Sequence, residues 1–164
     1  MLQKNSYSQK DIAALSASND GVWNQLPTGQ MSVFDNISLI NKHGGKYGLG
    51  VVEAEYHISP EAWFFDCHFP GDPIMPGCLG LDALWQLSGF YLRWLGYEGK
   101  GRALGSKEIK FFGEILPSTK HVTYRAHPRR VVARDMVLLI SDGDVYADGR
   151  HIYSASSLKV ALTK

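Results

Sequence analysis

The sequence predicts an α+β chain in which an antiparallel sheet wraps around one hydrophobic helix. Three observations lead there. A helix-length apolar segment runs from Gly77 or Cys78 to about Gly96, strand-like runs lie on both sides of it, and Asp148-Gly149 near the end is a strong two-residue hairpin signal.

The elements follow in order. Ser8 to Ala17 has the pattern of a short amphipathic helix, with Ser8 as its cap and Asp11 in its first turn. Gly21 to Gln30, with Gly, Pro and Asn, reads as a loop. Met31 to Ile40 and Tyr47 to Ile58 read as strands joined by a turn at Gly44-Gly45, and the second partly alternates apolar with polar residues. Pro60 to Gly77 holds four prolines and two glycines, which argue against any regular element, yet also Trp63, Phe64, Phe65 and Phe69. A loop so rich in aromatic surface is expected to be pinned against something. The helix that follows is apolar nearly all round, as a buried helix is, and until Arg93 its only ordinary ionisable side chain is Asp82. Ala103 to Leu116 is expected as one strand bent at Gly105 and Gly113, followed by strands over His121 to Arg134, Met136 to Ile140, Asp144 to Ala147 and Arg150 to Thr163.

The 164 residues suit one domain, 1–164, with one sizeable core. With 17 Lys and Arg against 16 Asp and Glu, no global field draws the chain to nucleic acid or to a membrane. Met1 to Lys10 lacks the apolar stretch of a signal peptide, and no run reaches the roughly 18 apolar residues of a span. The two cysteines, Cys67 and Cys78, are too few for a disulfide framework or a four-cysteine zinc site, so a reducing, cytoplasmic setting is expected.

Chemistry concentrates between Phe64 and Asp82. His68 sits among Phe65, Phe69 and other apolar groups. Apolar surroundings disfavour the imidazolium, and a neutral imidazole can accept a proton; a hydrogen-bonded structural histidine is the competing reading. Asp82 lies one turn into the apolar helix. Burial favours the protonated acid, which could donate to a leaving hydroxyl, whereas the helix macrodipole favours the carboxylate, and both readings stay open. Pro76-Gly77-Cys78 opens the helix, where unpaired backbone N–H groups could hold a thioester oxygen as it gains enolate character, or where Gly77 merely serves the turn. Base, acid and oxyanion donor together suit removal of a proton beside a carbonyl and loss of a 3-hydroxyl, with no metal or cofactor. A Cys–His nucleophile is weaker, because side chains of the adjacent Cys67 and His68 point apart in an extended segment, and Cys78 reads more readily as a small buried packing residue. A zinc site lacks ligand spacing, and no phosphate-binding signature follows Gly77-Cys78-Leu79-Gly80.

The runs Trp63-Phe64-Phe65, Cys67-His68-Phe69, Gly71-Asp72-Pro73, Met75 to Ala83, Trp85-Gln86-Leu87, Gly89 to Leu92, Glu98 to Gly105, Val122 to Arg125 and Asp148-Gly149-Arg150 resemble the bacterial 3-hydroxydecanoyl-acyl-carrier-protein dehydratase/isomerase family. The resemblance implies a hot-dog fold and a homodimer whose sites each combine His68 of one subunit with Asp82 of the other. It implies that Gly77 supplies the N–H for the thioester oxygen, and that Cys78, Phe69, Trp85 and Gln86 help bind substrate. Asp at the acid position favours the bifunctional branch over the dehydratases with Glu. The partner implied is acyl carrier protein, which is acidic. Among the basic candidates Arg125, Arg129, Arg130, Arg134 and Lys159, the resemblance points most to Arg130, Arg134 and Lys159. Departures fall at Met31 to Asn36, Ser88, Lys107 and Asp135. A hot-dog acyl-thioesterase and a non-catalytic acyl-chain binding protein are the alternatives.

Overall fold

Ser8 accepts a hydrogen bond from the Asp11 N–H, and Asp11 accepts one in return from the Ser8 N–H at 2.9 Å. This capping box starts α1 (Gln9–Ser16), the short helix capped by Ser8 that the sequence predicts. The computed structural model describes residues 3–18, 23 and 26–163. Part of the loop expected over Gly21 to Gln30 lies outside the described residues; its described end turns into a short 3-10 helix, Gly29–Met31.

Seven strands form one antiparallel sheet: β1 (Asn36–Asn41), β2 (Val51–His57), β3 (Lys100–Gly105), β4 (Glu108–Phe111), β5 (His121–Ala133), β6 (Val137–Ala147) and β7 (Arg150–Thr163). Their spatial order is β1-β2-β5-β6-β7-β3, with β4 also paired to β7. Asp148 and Gly149, both at positive φ (47° and 82°), close the β6–β7 hairpin, the geometry a primed two-residue turn requires.

Between the strands run α2 (Trp63–Cys67) and α3 (Gly77–Trp94), and α3 lies against β5, β6 and β7. In β6 every second residue from Leu139 to Ala147 is buried, so one face of the sheet meets α3 and the other faces outward. Gly143 permits the close approach: a Cβ there would stand 2.6 Å from Leu84 Cδ1. Leu84, Leu87, Tyr91 and Leu92 fill the space between helix and sheet. This is the hot-dog architecture.

Several expectations are corrected. Pro60 to Gly77 is not wholly irregular, because α2 occupies the breaker-free interval between Pro60 and Pro70 and buries Phe64 and Phe65. Ala103 to Leu116 is not one strand: it divides at Gly105 (φ 139°), so that β3 and β4 pair with separate stretches of β7. Met136 to Ile140 and Asp144 to Ala147 are one continuous strand, β6, carried through Ser141-Asp142-Gly143 by an irregularity in register. The first strand begins at Asn36 rather than Met31.

Candidate active site

His68 ends α2, its N–H bonded to the Phe64 carbonyl at 2.9 Å. Beyond it the chain turns sharply. Phe69 and Asp72 exchange backbone hydrogen bonds at 2.8 and 2.9 Å around Pro70-Gly71, with Gly71 at φ 83°; proline followed by a positive-φ glycine is the signature of a type II turn. The Ile74 N–H then returns to the His68 carbonyl at 2.8 Å, and the Met75 N–H bonds the Ile115 carbonyl at 2.9 Å. The breaker-rich segment is thus pinned, as its aromatic content suggested.

That turn orients the imidazole. His68 Nδ1 lies 3.0 Å from the Ile74 carbonyl oxygen. A carbonyl can only accept, so Nδ1 carries a proton, and in the neutral ring the lone pair is then on Nε2, the arrangement a general base needs. The Phe69 ring stacks on the imidazole, with centroids 4.0 Å apart. The ring is half-buried, so a proton donor can reach it.

Gly77 begins α3; the Leu79 N–H bonds the Pro76 carbonyl at 3.0 Å, and the Gly77 and Cys78 N–H groups precede the helix's own bonds. The Phe111 ring covers this glycine: a Cβ would stand 2.8 Å from Phe111 Cε1. Gly77 therefore serves a close approach as well as a turn. Cys78, in the first turn of α3, is exposed and not a buried packing residue. Cys67 is also exposed, and its thiol donates to the Trp63 and Phe64 carbonyls at 3.7 Å.

Asp82 lines a cavity of about 490 Å³ between α3 and β3. From Asp82, the cavity-lining residues Trp85, Gln86, Gly89 and Arg93 recur at three-, four-, seven- and eleven-residue intervals, one stripe of the helix. Gln86 Nε2 donates to Asp82 Oδ2 at 2.6 Å and lies 3.0 Å from the Met31 carbonyl, so Gln86 fixes the carboxyl group as well as lining the cavity. Facing this stripe are Lys100 to Ala103 of β3 and Val160 of β7. The cavity thus gathers Asp82, Trp85 and Gln86 from the residues expected to meet substrate, while His68, Phe69, Gly77 and Cys78 are not among its lining within one chain. Sequence reasoning missed Gly89 and Arg93; their spacing from Asp82 was the available signal.

Nearby tyrosines do not compete as acids or bases at neutral pH. Burial, followed by the charges of Glu114 and Cys78, pushes the Tyr153 hydroxyl up to about 12. Burial likewise holds Tyr124 well above its ordinary range.

The basic candidates divide. Arg125 is paired with Glu53 at 2.5 Å and Arg129 with Asp142 at 3.3 Å, whereas Arg130, Arg134 and Lys159 are exposed and form no ion pair among the described residues. Arg130 and Lys159 both register with Ile140, one strand to either side of it. Among the described residues no helix is long and apolar enough to cross a membrane, and no His, Cys, Asp and Glu group could hold a metal ion.

Solved structures share this architecture. The dehydratase heterocomplex ApeI:P from Xenorhabdus doucetiae is similar at 11% identity, over 84% of this chain and 87% of that one, with a TM-score of 0.58. A hypothetical thioesterase protein with coenzyme A from Streptococcus pneumoniae is similar at 17% identity, over 81% and 90%, with a TM-score of 0.57. AziG from S. sahachiroi is similar at 14% identity, over 78% and 90%, with a TM-score of 0.54. At these identities the likeness establishes the fold alone. The FabA-like domain matches residues 26–156, an interval that includes His68, Gly77, Asp82 and the whole cavity stripe, and the chain belongs to that family.

Proposed function

We propose that the protein is a homodimeric 3-hydroxyacyl-[acyl-carrier-protein] dehydratase of cytoplasmic fatty acid synthesis, with residues 1–164 as one dehydratase domain. Its substrate is the 3-hydroxydecanoyl thioester, and it also isomerises the trans-2-enoyl product to the cis-3 form. The observation that carries the reading is the division of the chemistry: Asp82 is held by Gln86 in the cavity, while His68, with Nε2 free to accept, belongs to a separate pinned turn. Each supplies half of an acid–base pair, and a second copy supplies the other half.

In the proposed reaction His68 Nε2 takes the C2 proton, and the electrons of that bond move toward the thioester carbonyl, whose oxygen the Gly77 N–H stabilises. The C3–O bond then breaks, Asp82 as the carboxylic acid donates its proton to the departing hydroxyl, and water and a trans-2-enoyl thioester result. The proton taken by His68 balances the one given by Asp82. For isomerisation, loss of a C4 proton and reprotonation at C2 move the double bond without change in composition. Arg130, Arg134 and Lys159 support docking of the acidic carrier, since they are exposed and uncommitted.

The test is incubation with 3-hydroxydecanoyl thioester and identification of the products. Enoyl absorbance without free thiol is expected. Thiol release would instead make the protein a thioesterase, and binding without turnover would make it an acyl-chain binding protein. With carrier-bound substrate, KM should rise with added salt.

A further inference from the structure

We infer that Arg93 ends the acyl pocket and sets the longest chain the protein accepts. The inference rests on the dehydratase reading, which puts the reacting carbons at Asp82. Arg93 stands eleven helical steps beyond Asp82, about 16 Å along the axis at ~1.5 Å per residue. Trp85, Gly89, Phe90 and Val160 line the passage between them, walls suited to methylene groups. Gly89 leaves width there, since a Cβ would meet only Val160, at 3.8 Å. The passage then reaches a guanidinium. Arg93 is 7% exposed, its Nη2 donates to the Gly99 carbonyl at 3.0 Å, and the same nitrogen lies 4.0 Å from where a Gly101 side chain would begin.

Each methylene buried along the apolar stretch strengthens binding. A chain long enough to reach Arg93 meets a buried, hydrogen-bonded cation that hydrocarbon cannot solvate, so further carbons lose what earlier ones gained. Arg93 also stands in the last turn of α3 and ties the helix to the turn before β3. That structural role alone would alter melting temperature without altering the choice among chain lengths.

The experiment compares the full-length wild type with Arg93→Met, Arg93→Ala and Arg93→Lys on 3-hydroxyacyl thioesters from octanoyl to octadecanoyl. Direct titration of saturated acyl-pantetheine thioesters of the same lengths runs beside it. Wild-type kcat/KM should fall about tenfold from dodecanoyl to octadecanoyl, the second long enough to reach Arg93 and the first not, a contrast of the size that pocket fit commonly produces. Arg93→Met and Arg93→Ala should bring the two within roughly twofold, and Arg93→Lys should keep the fall. Identical length profiles in wild type and Arg93→Met, or a wild type that takes octadecanoyl as well as dodecanoyl, would overturn the inference. If Arg93→Ala does not fold, Arg93→Met decides, because it keeps the side-chain length without the charge. If no enzyme turns over any substrate, the dehydratase reading fails; the titrations then judge Arg93 separately, by whether Arg93→Met extends the range of chains bound.

Discussion

One helix carries two different surfaces. On the side of α3 that meets the sheet, Gly80, Ala83, Leu84, Leu87 and Tyr91 are buried, and the lone polar insertion, Ser88, is satisfied by the Leu84 carbonyl and by Ser141, each at 2.8 Å. On the opposite side, Asp82, Gln86 and Arg93 stand among aromatic and small residues along an open cavity. Polar groups on the first side are closed into short, saturated bonds. On the second, Asp82 is held at one oxygen by Gln86 and keeps another beyond it. Packing residues and working residues thus differ in what their hydrogen bonds leave over, not in burial alone. Substitutions on the cavity side should therefore change turnover, and those on the sheet side should change stability.

The sharpest break should come at the proposed acid, Asp82, and the proposed base, His68. His68→Ala and Asp82→Ala should each lower kcat by about 1,000-fold, within the range of a lost general acid or base, with melting temperature nearly unchanged. Neither variant alone should recover on dilution or concentration. Mixed and reassociated, the two should regain roughly a quarter of wild-type turnover, because half the dimers then hold one intact site of two. Full activity in either single variant, or no recovery on mixing, would remove the shared site from consideration.

A smaller effect separates positioning from chemistry. Gln86→Leu keeps bulk in the cavity but releases Asp82 from its 2.6 Å bond. Turnover should fall about tenfold, equivalent to ~1.4 kcal/mol of barrier, mainly in kcat, because the acid is misoriented while the pocket keeps its shape. KM should stay near the wild-type value, a split that a purely packing role for Gln86, which would change KM and melting temperature together, does not give.

Much of this was legible in the chain. The apolar helix, the cap at Ser8 and the turn at Asp148-Gly149 could be read because each depends on residues close in sequence. The segment around His68 could be read as pinned, but α2 within it could not, since the burial of Phe64 and Phe65 outweighs the surrounding breakers. Gly105 looked like a bend in one strand; the break into two follows from where β7 can pair, a matter of distant register. Asp82 was visible as an isolated charge on an apolar helix, whereas the cavity role of Arg93 depends on what β3 brings opposite it. Local chemistry was therefore readable, and the partition between packed and open surfaces was not.

Ser88 offers the smallest and most discriminating test of that partition. At the sequence level it stands out as a polar residue where the resembled family has an apolar one, and the structure supplies its counterpart in Ser141, with both side chains fully buried. Ser88→Ala removes one partner and leaves the Ser141 hydroxyl in an apolar enclosure, a loss of about 1–3 kcal/mol. Replacing both serines with alanine removes the stranded hydroxyl, so the double variant should be more stable than the single one. The cavity lies on the other side of the helix, so kcat and the chain-length profile should match wild type in both variants. Thermal melts read the first expectation and steady-state kinetics the second. A double variant no more stable than Ser88→Ala would mean that small voids, rather than the unpaired hydroxyl, dominate this side of α3. Altered chain preference in either variant would mean that the two surfaces are mechanically coupled through the helix.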